Sequence, residues 1–165
     1  SWYRNAVSLI TDRSSPADLM SSGKLLGRPS GGRMSMFFYD PKTKNRLPYY
    51  DTFPLVLPLE TAKGGFIGLN FHYLPYGARF AFLQTLQTYA SNAKFDQSTK
   101  IQASYDSIKG NKYTKVAIKR YLYSQVRSNF LRINVDEMAL AAYLPVAQFQ
   151  GRTLGGVFAA ARKNF

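Results

Sequence analysis

The run FPLVLPLETAKGGFIGLNFHYLP, residues 53–75, constrains the fold more than any other stretch of the chain. Two apolar segments of strand length are joined at Gly64-Gly65, and both carry residues that a flat central strand does not tolerate. Pro54 and Pro58 flank LVL. Proline has no N–H to give a ladder, so this strand must lie at an edge, begin at a proline or contain a bulge. Gly68 inside FIGLNF fits a bulge or sharp bend of the kind that lets a small sheet curl. With MSMFFYD upstream, and PKTKNR as an exposed loop between, these are three strand-like runs that fit a bent barrel better than a flat sheet.

Either side of this unit the composition changes. SWYRNAVSLI suits a short helix that must dock to be stable, and residues 11–33 are rich in Ser, Gly and Arg, which predicts an extended basic arm that supplies contacts rather than core. Beyond Pro75, YGARFAFLQTLQTYA places Phe80, Leu83 and Leu86 three apart, with Phe82 and Tyr89 widening the stripe of an amphipathic helix. KYTKVAIKRYLYSQVRSNFLRI is the longest periodic run: Ile118, Leu122, Val126, Phe130 and Ile133 form an apolar line, and Lys112, Lys115 and Lys119 a basic ridge on another side. Asp136 and Glu137 suit a helix N-terminus, Pro145 ends that helix, and LGGVFAAARKNF packs in part. The reading is α+β: residues 1–33 a helix and arm, 34–76 a small β-barrel unit, 77–165 the helical part of the same domain. No internal repeat stands out.

Charge bears most strongly on function. Twenty-two Lys and Arg against nine Asp and Glu leave +13, an excess that calls for an anionic partner. It is uneven. Residues 1–33 carry five basic residues against two acids, +3, and residues 100–132 eight against Asp106 alone, +7. Residues 34–76 carry four against three, only +1. Arg28, Arg33, Lys112, Lys115, Lys119, Arg120 and Arg127 are therefore the candidate residues for the anionic partner.

Signs of catalysis are weak by comparison. His72 is the one histidine, cysteine is absent, and no HExxH or second histidine completes a metal site, so a hydrogen-bonded structural role is expected. Asp40 and Asp51 flank the PKTKNR loop, where an ion pair with Lys42, Lys44 or Arg46 is the expected use. GKLLGRPSGGR and GGFIG lack both the spacing and the strand-to-helix context of a phosphate-binding loop. No catalytic residue, cofactor or metal is expected. No run reaches the roughly 18–20 apolar residues of a membrane span, and the first residues lack signal-peptide order. Basic and aromatic residues interleave in KYTKVAIKRYLYSQVR, as on surfaces that contact phosphates and stack bases. Equally, 12 Phe and 12 Tyr exceed what one core needs and suit protein interfaces.

MFFYDPKTKNRLPYYDTFPLVLPLE, GGFIGLNFHYLP, KRYLYSQVRSNFLRI and AAYLPVAQF together resemble a small virion protein of contractile-tailed bacteriophages, well over residues 34–76 and more loosely beyond. The resemblance implies an SH3-like barrel with His72 structural, a place in the tail or baseplate hub, and other virion proteins as partners, in the virion or in the host cytoplasm during assembly. It does not explain +13. The alternative is a basic DNA-binding protein acting in DNA packaging or in protection of DNA ends.

Overall fold

The computed structural model describes residue 20 and residues 25–29, 34–90, 114–133, 141–142 and 146–162, the side chains of 85–90 excepted. The Gly-Gly turn is where the sequence puts it. β4 (Leu55–Ala62) and β5 (Gly65–Asn70) pair antiparallel across it, with Gly64 at φ 72°, a left-handed conformation that glycine reaches without strain. Pro54 immediately precedes β4, and the register shifts between Pro58 and Glu60, so the prolines are met by a strand start and a bulge. The edge position is not used: β4 lies between β5 and β2 (Ser35–Met36).

Six strands form one sheet, in the order β1 (Leu25–Leu26), β7 (Phe130–Arg132), β2, β4, β5 and β6 (Ile118–Leu122), and every pairing is antiparallel. β1 and β6 end it, and no ladder joins them among the described residues; the SH3-like barrel goes beyond this order. With α1 (Tyr76–Ala90) and α2 (Leu154–Arg162), the described chain is α+β. The sheet is not confined to residues 34–76. β1 comes from the stretch read as an arm, and Met20 from that stretch is buried in the core.

The largest departure is at residues 115–133, expected as one helix. They form a 3-10 turn at Lys115–Ala117, then β6, a second 3-10 turn at Tyr123–Gln125, and β7 (Phe130–Arg132). The segment is rich in β-branched and aromatic residues, which lose side-chain freedom in a helix but pack well on a pleated surface. Burial of Tyr121 against Phe66, its partner on β5, decides the matter. The basic ridge falls with the helix: Lys115 lies on a turn, Lys119 in a strand, and Lys112 outside the described residues. Residues 1–19, 30–33 and 134–140, which include the first helix and the Asp136-Glu137 start, also lie outside.

Both faces of the sheet are covered, which is why β4 and β5 read as nearly unbroken apolar runs rather than alternating ones. One face, with Leu55, Leu57, Leu59 and Leu69, meets Phe82 and Leu83 of α1 and Val157 and Phe158 of α2. The other holds an aromatic cluster around Phe37, whose ring centroid lies 4.7 Å from Phe130, 5.4 Å from Tyr121 and 6.1 Å from Phe66. α1 differs from its expected stripe. Phe80 is 52% exposed, and the buried position one residue earlier is Arg79, 1% exposed. Its guanidinium donates to the carbonyls of Leu74 (2.7 Å), Ala142 (2.7 Å) and His72 (3.2 Å), between the rings of Tyr76 and Phe158. A pattern scored on hydrophobicity passes over such an inward-facing arginine.

Candidate functional site

β3 (Tyr50–Asp51) and β8 (Phe149–Gln150) form a separate two-stranded ribbon, which sets Tyr49 to Asp51 beside residues 148–152. The ribbon and the Asp51 side chain are the base of the site. Asp51 Oδ1 accepts the N–H groups of Phe53 (2.9 Å) and Gln148 (3.2 Å), while Oδ2 accepts from His72 Nδ1 (2.7 Å) and Asn70 Nδ2 (3.1 Å). Burial pushes this carboxyl up, but His72 and the hydrogen bonds outweigh it and hold Asp51 below the ordinary carboxylate range. His72 is fully buried, its Nε2 has no partner among the described residues, and its N–H donates to Asn70 Oδ1 at 3.0 Å. The ring therefore ties β3 to the 3-10 turn at Phe71–Tyr73 and faces no solvent. Asp40, by contrast, pairs as the sequence suggested, with Lys44 at 3.1 Å, and also with Arg127 at 3.8 Å.

Above Asp51 opens a cleft of about 80 Å³. Tyr39, Pro41, Leu47, Tyr49, Tyr50, Asp51, Tyr73, Lys119 and Tyr121 line it. Tyr39, Tyr73 and Tyr121 form its inner wall, all buried and all with the phenol pushed above its ordinary value by desolvation. Tyr49, Tyr50 and Leu47 stand nearer the mouth, half-buried or exposed.

Cations surround this wall of rings. Lys119 and Tyr121 are two apart on β6 and so share a face, and the Lys119 ammonium lies 4.3 Å from the centre of the Tyr73 ring. Burial pulls Lys119 below the ordinary lysine value, and none of the ion pairs among the described residues includes it. Arg152 stacks 4.3 Å over Tyr49, placed there by the turn at Gly151, whose φ of 86° suits only glycine and whose Cβ, if it had one, would strike the Pro48 carbonyl. Lys42, Lys44 and Arg46 are exposed on the loop between Pro41 and Leu47, both of which line the cleft.

The residues picked from sequence are dispersed. Arg28 lies 4.5 Å over the Tyr123 ring, Arg127 is tied to Ser124 and Asp40, and Lys115 is exposed on its turn. Arg120 lies on the opposite face of β6 from Lys119 and donates to the Lys63 carbonyl at 2.9 Å. Arg33 and Lys112 lie outside the described residues. Of the five described, Lys119 alone lines the cleft. Tyr49, Tyr50, Tyr73 and the basic loop are hidden in the sequence because residues 34–76 are nearly neutral in sum, and Arg152 because it lies far along the chain from them, outside both strongly basic flanks. The available signal was YY directly after PKTKNRLP, aromatics beside three cations.

No group of three or more acids and histidines is placed to hold a metal among the described residues, and no described helix is long and apolar enough to cross a membrane.

The family model for the phage T4 terminal DNA protecting protein matches residues 18–163. The chain belongs to that family. It is a phage protein, as the resemblance implied, but the family is not of the tail or baseplate hub type that was expected. Neither curated proteins nor solved structures give a match. Membership in the terminal DNA protecting family covers nearly the whole chain, so the cleft, its basic loop and both helices all belong to the matched region.

Proposed function

We propose that this protein is a non-enzymatic DNA-end binder that occupies the termini of linear phage DNA and denies them to exonucleases. The observation that carries the reading is the family match over residues 18–163. The charge of +13 supports it, since contacts to phosphates dominate affinity for nucleic acid. So does the placement of Lys42, Lys44, Arg46, Lys119 and Arg152 about one aromatic cleft, a pairing of cations and rings suited to nucleic acid. Arg28, Lys115 and Arg127 extend the basic surface, with Arg33 and Lys112 as further phosphate contacts; Arg120 turns the other way. The protein acts without metal or cofactor, in the virion or in the infected host cytoplasm, where exposed Phe80 and Leu25 serve contacts with other virion proteins.

We also read the strands as a small SH3-like barrel. β2 has β4 on one side and β7 on the other, Val126 bridges to Tyr39, and a single 3-10 turn links β6 to that bridge. The Phe37 cluster fills the interior of this circuit.

The test is an exonuclease challenge on linear duplex DNA mixed with the full chain. Digestion from both 5′ and 3′ ends should slow at about one or a few protein molecules per end, while a restriction enzyme cuts an internal site at its normal rate and the DNA stays intact without added nuclease. Equal inhibition of internal cleavage would replace end protection by general coating. DNA loss without added nuclease would remove the non-enzymatic part of the reading.

A further inference from the structure

We propose that the tyrosine cleft is the seat of an unpaired terminal nucleotide, whose base stacks on Tyr50, beside the Arg152-covered ring of Tyr49, and whose phosphate is held by Lys119. The inference rests on the DNA-end reading and adds the part of the end that is recognised.

Three features of the cleft lead there. First, Tyr49 and Tyr50 are adjacent, half-buried and at the mouth, and no ring contact among the described residues covers Tyr50. Inside a duplex each base face is covered by its neighbours, and a blunt end bares only the outer face of a whole base pair, too broad for this cleft; a single base out of the stack offers a face that fits an aromatic side chain here. Second, at about 80 Å³ the cleft is smaller than the roughly 150 Å³ cavity that encloses benzene, so a base lies across an open mouth and is not swallowed. A double helix, whose major groove alone is about 12 Å wide, cannot enter it.

Third, Lys119 is a cation with an unmet need. Its ammonium is drawn partly out of water against Tyr73, and its only described partner is that ring. Holding a partly desolvated charge without a counter-ion is costly, and an arriving phosphate removes the cost. The one acid in the cleft does not compete for it, because both Asp51 oxygens are occupied by four donors. Apart from Asp51 the lining offers phenols, apolar surface and one ammonium, so the seat accepts any base.

The experiment measures binding of the full chain to hairpin duplexes with one open terminus: blunt, with a three-nucleotide 3′ overhang, or with a three-nucleotide 5′ overhang. A covalently closed dumbbell serves as the control without ends. One overhang polarity should bind roughly tenfold tighter than the blunt hairpin, the scale of one stacked base. Tyr50→Ala and Lys119→Ala should each lose most of that advantage, and Arg120→Ala, on the other face of the same strand, should keep it. Tyr50→Leu, which retains apolar bulk, guards against a folding defect and should lose the advantage with an unchanged melting temperature. Equal binding of blunt and overhang ends, or an advantage that survives in both cleft variants, overturns the terminal-nucleotide seat. In that case a preference for any open end over the dumbbell leaves the end-binding reading standing; equal binding of the dumbbell sinks both.

Discussion

Asp51 is the residue on which the site is assembled. Its carboxylate gathers donors from the bend just after its own strand, from β5, from the turn after β5 and from the chain entering β8, so one ionised group fixes four segments around the cleft floor. Because its folded pKa lies below the ordinary value, the stabilisation it gives is complete above about pH 4 and is lost as pH falls through the folded value. Asp51→Asn should therefore cost about 1–3 kcal/mol at pH 7, where a charged acceptor is replaced by an amide that brings an unwanted N–H to two donors. Melting curves from pH 7 to pH 3 should show the variant approaching the native protein at the acid end. A gap that stays constant across that range would mean that the Asp51 carboxyl titrates alike in the folded and unfolded chain, so that its ionisation adds nothing to stability. His72 stands out in the sequence as the one histidine in an apolar run and sits in a buried, hydrogen-bonded position, whereas Asp51 turns inward to that ring and not to the ion pair with Lys42, Lys44 or Arg46 that its place beside the loop suggests. The hairpin at Gly64-Gly65 predicts that their two segments return to one another, but not that the Asp51 side chain turns inward to the imidazole, which depends on burial that the sequence does not display.

At the scale of elements, what was legible depended on how local the cause was. The β4–β5 pair could be read because its turn, its prolines and its bulge are all local. Residues 115–133 could not, because apolar residues spaced by four satisfy a helix on paper while long-range pairing with β5 and β2 makes them strands. β1 was hidden for a related reason: two residues in a Ser- and Gly-rich stretch give no pattern, yet Leu25 and Leu26 pair with Leu131 and Phe130. This has a measurable consequence. A chain that lacks residues 1–33 loses that edge strand and Met20, whose removal from a packed core alone is worth about 2–5 kcal/mol. It should melt at least 10 °C lower or fail to fold, and Met20→Ala in the full chain should show part of the same loss. An unchanged melting temperature on truncation would make the segment the dispensable arm that its composition suggests.

For the whole molecule, the sum of charges understates what a phosphate backbone meets. Asp51 is sealed inside and answered by its own donors, and Asp40 is shared between Lys44 and Arg127, so two of the three acids in residues 34–76 present little free negative charge. The stretch that is nearly neutral on paper thus presents a basic loop at the mouth of the cleft, a feature that summed charge does not display. Each phosphate neutralised by a lysine or arginine contributes about −0.9 to the slope of log affinity against log salt on duplex DNA. Lys42 and Arg46 are exposed and join no described ion pair, so replacing both with alanine should leave stability within about 0.5 kcal/mol. On open-ended hairpins between about 50 and 200 mM salt, the same double variant should bind more weakly, to a similar degree for every end sequence, with a slope shallower by about 1–2. Lys115→Ala and Arg28→Ala, each on a surface that the sequence favoured, measure how far the footprint extends beyond the cleft. An unaltered slope in the Lys42 and Arg46 double variant would place the DNA away from this loop and return the search to the flanks, where the formal charge is highest.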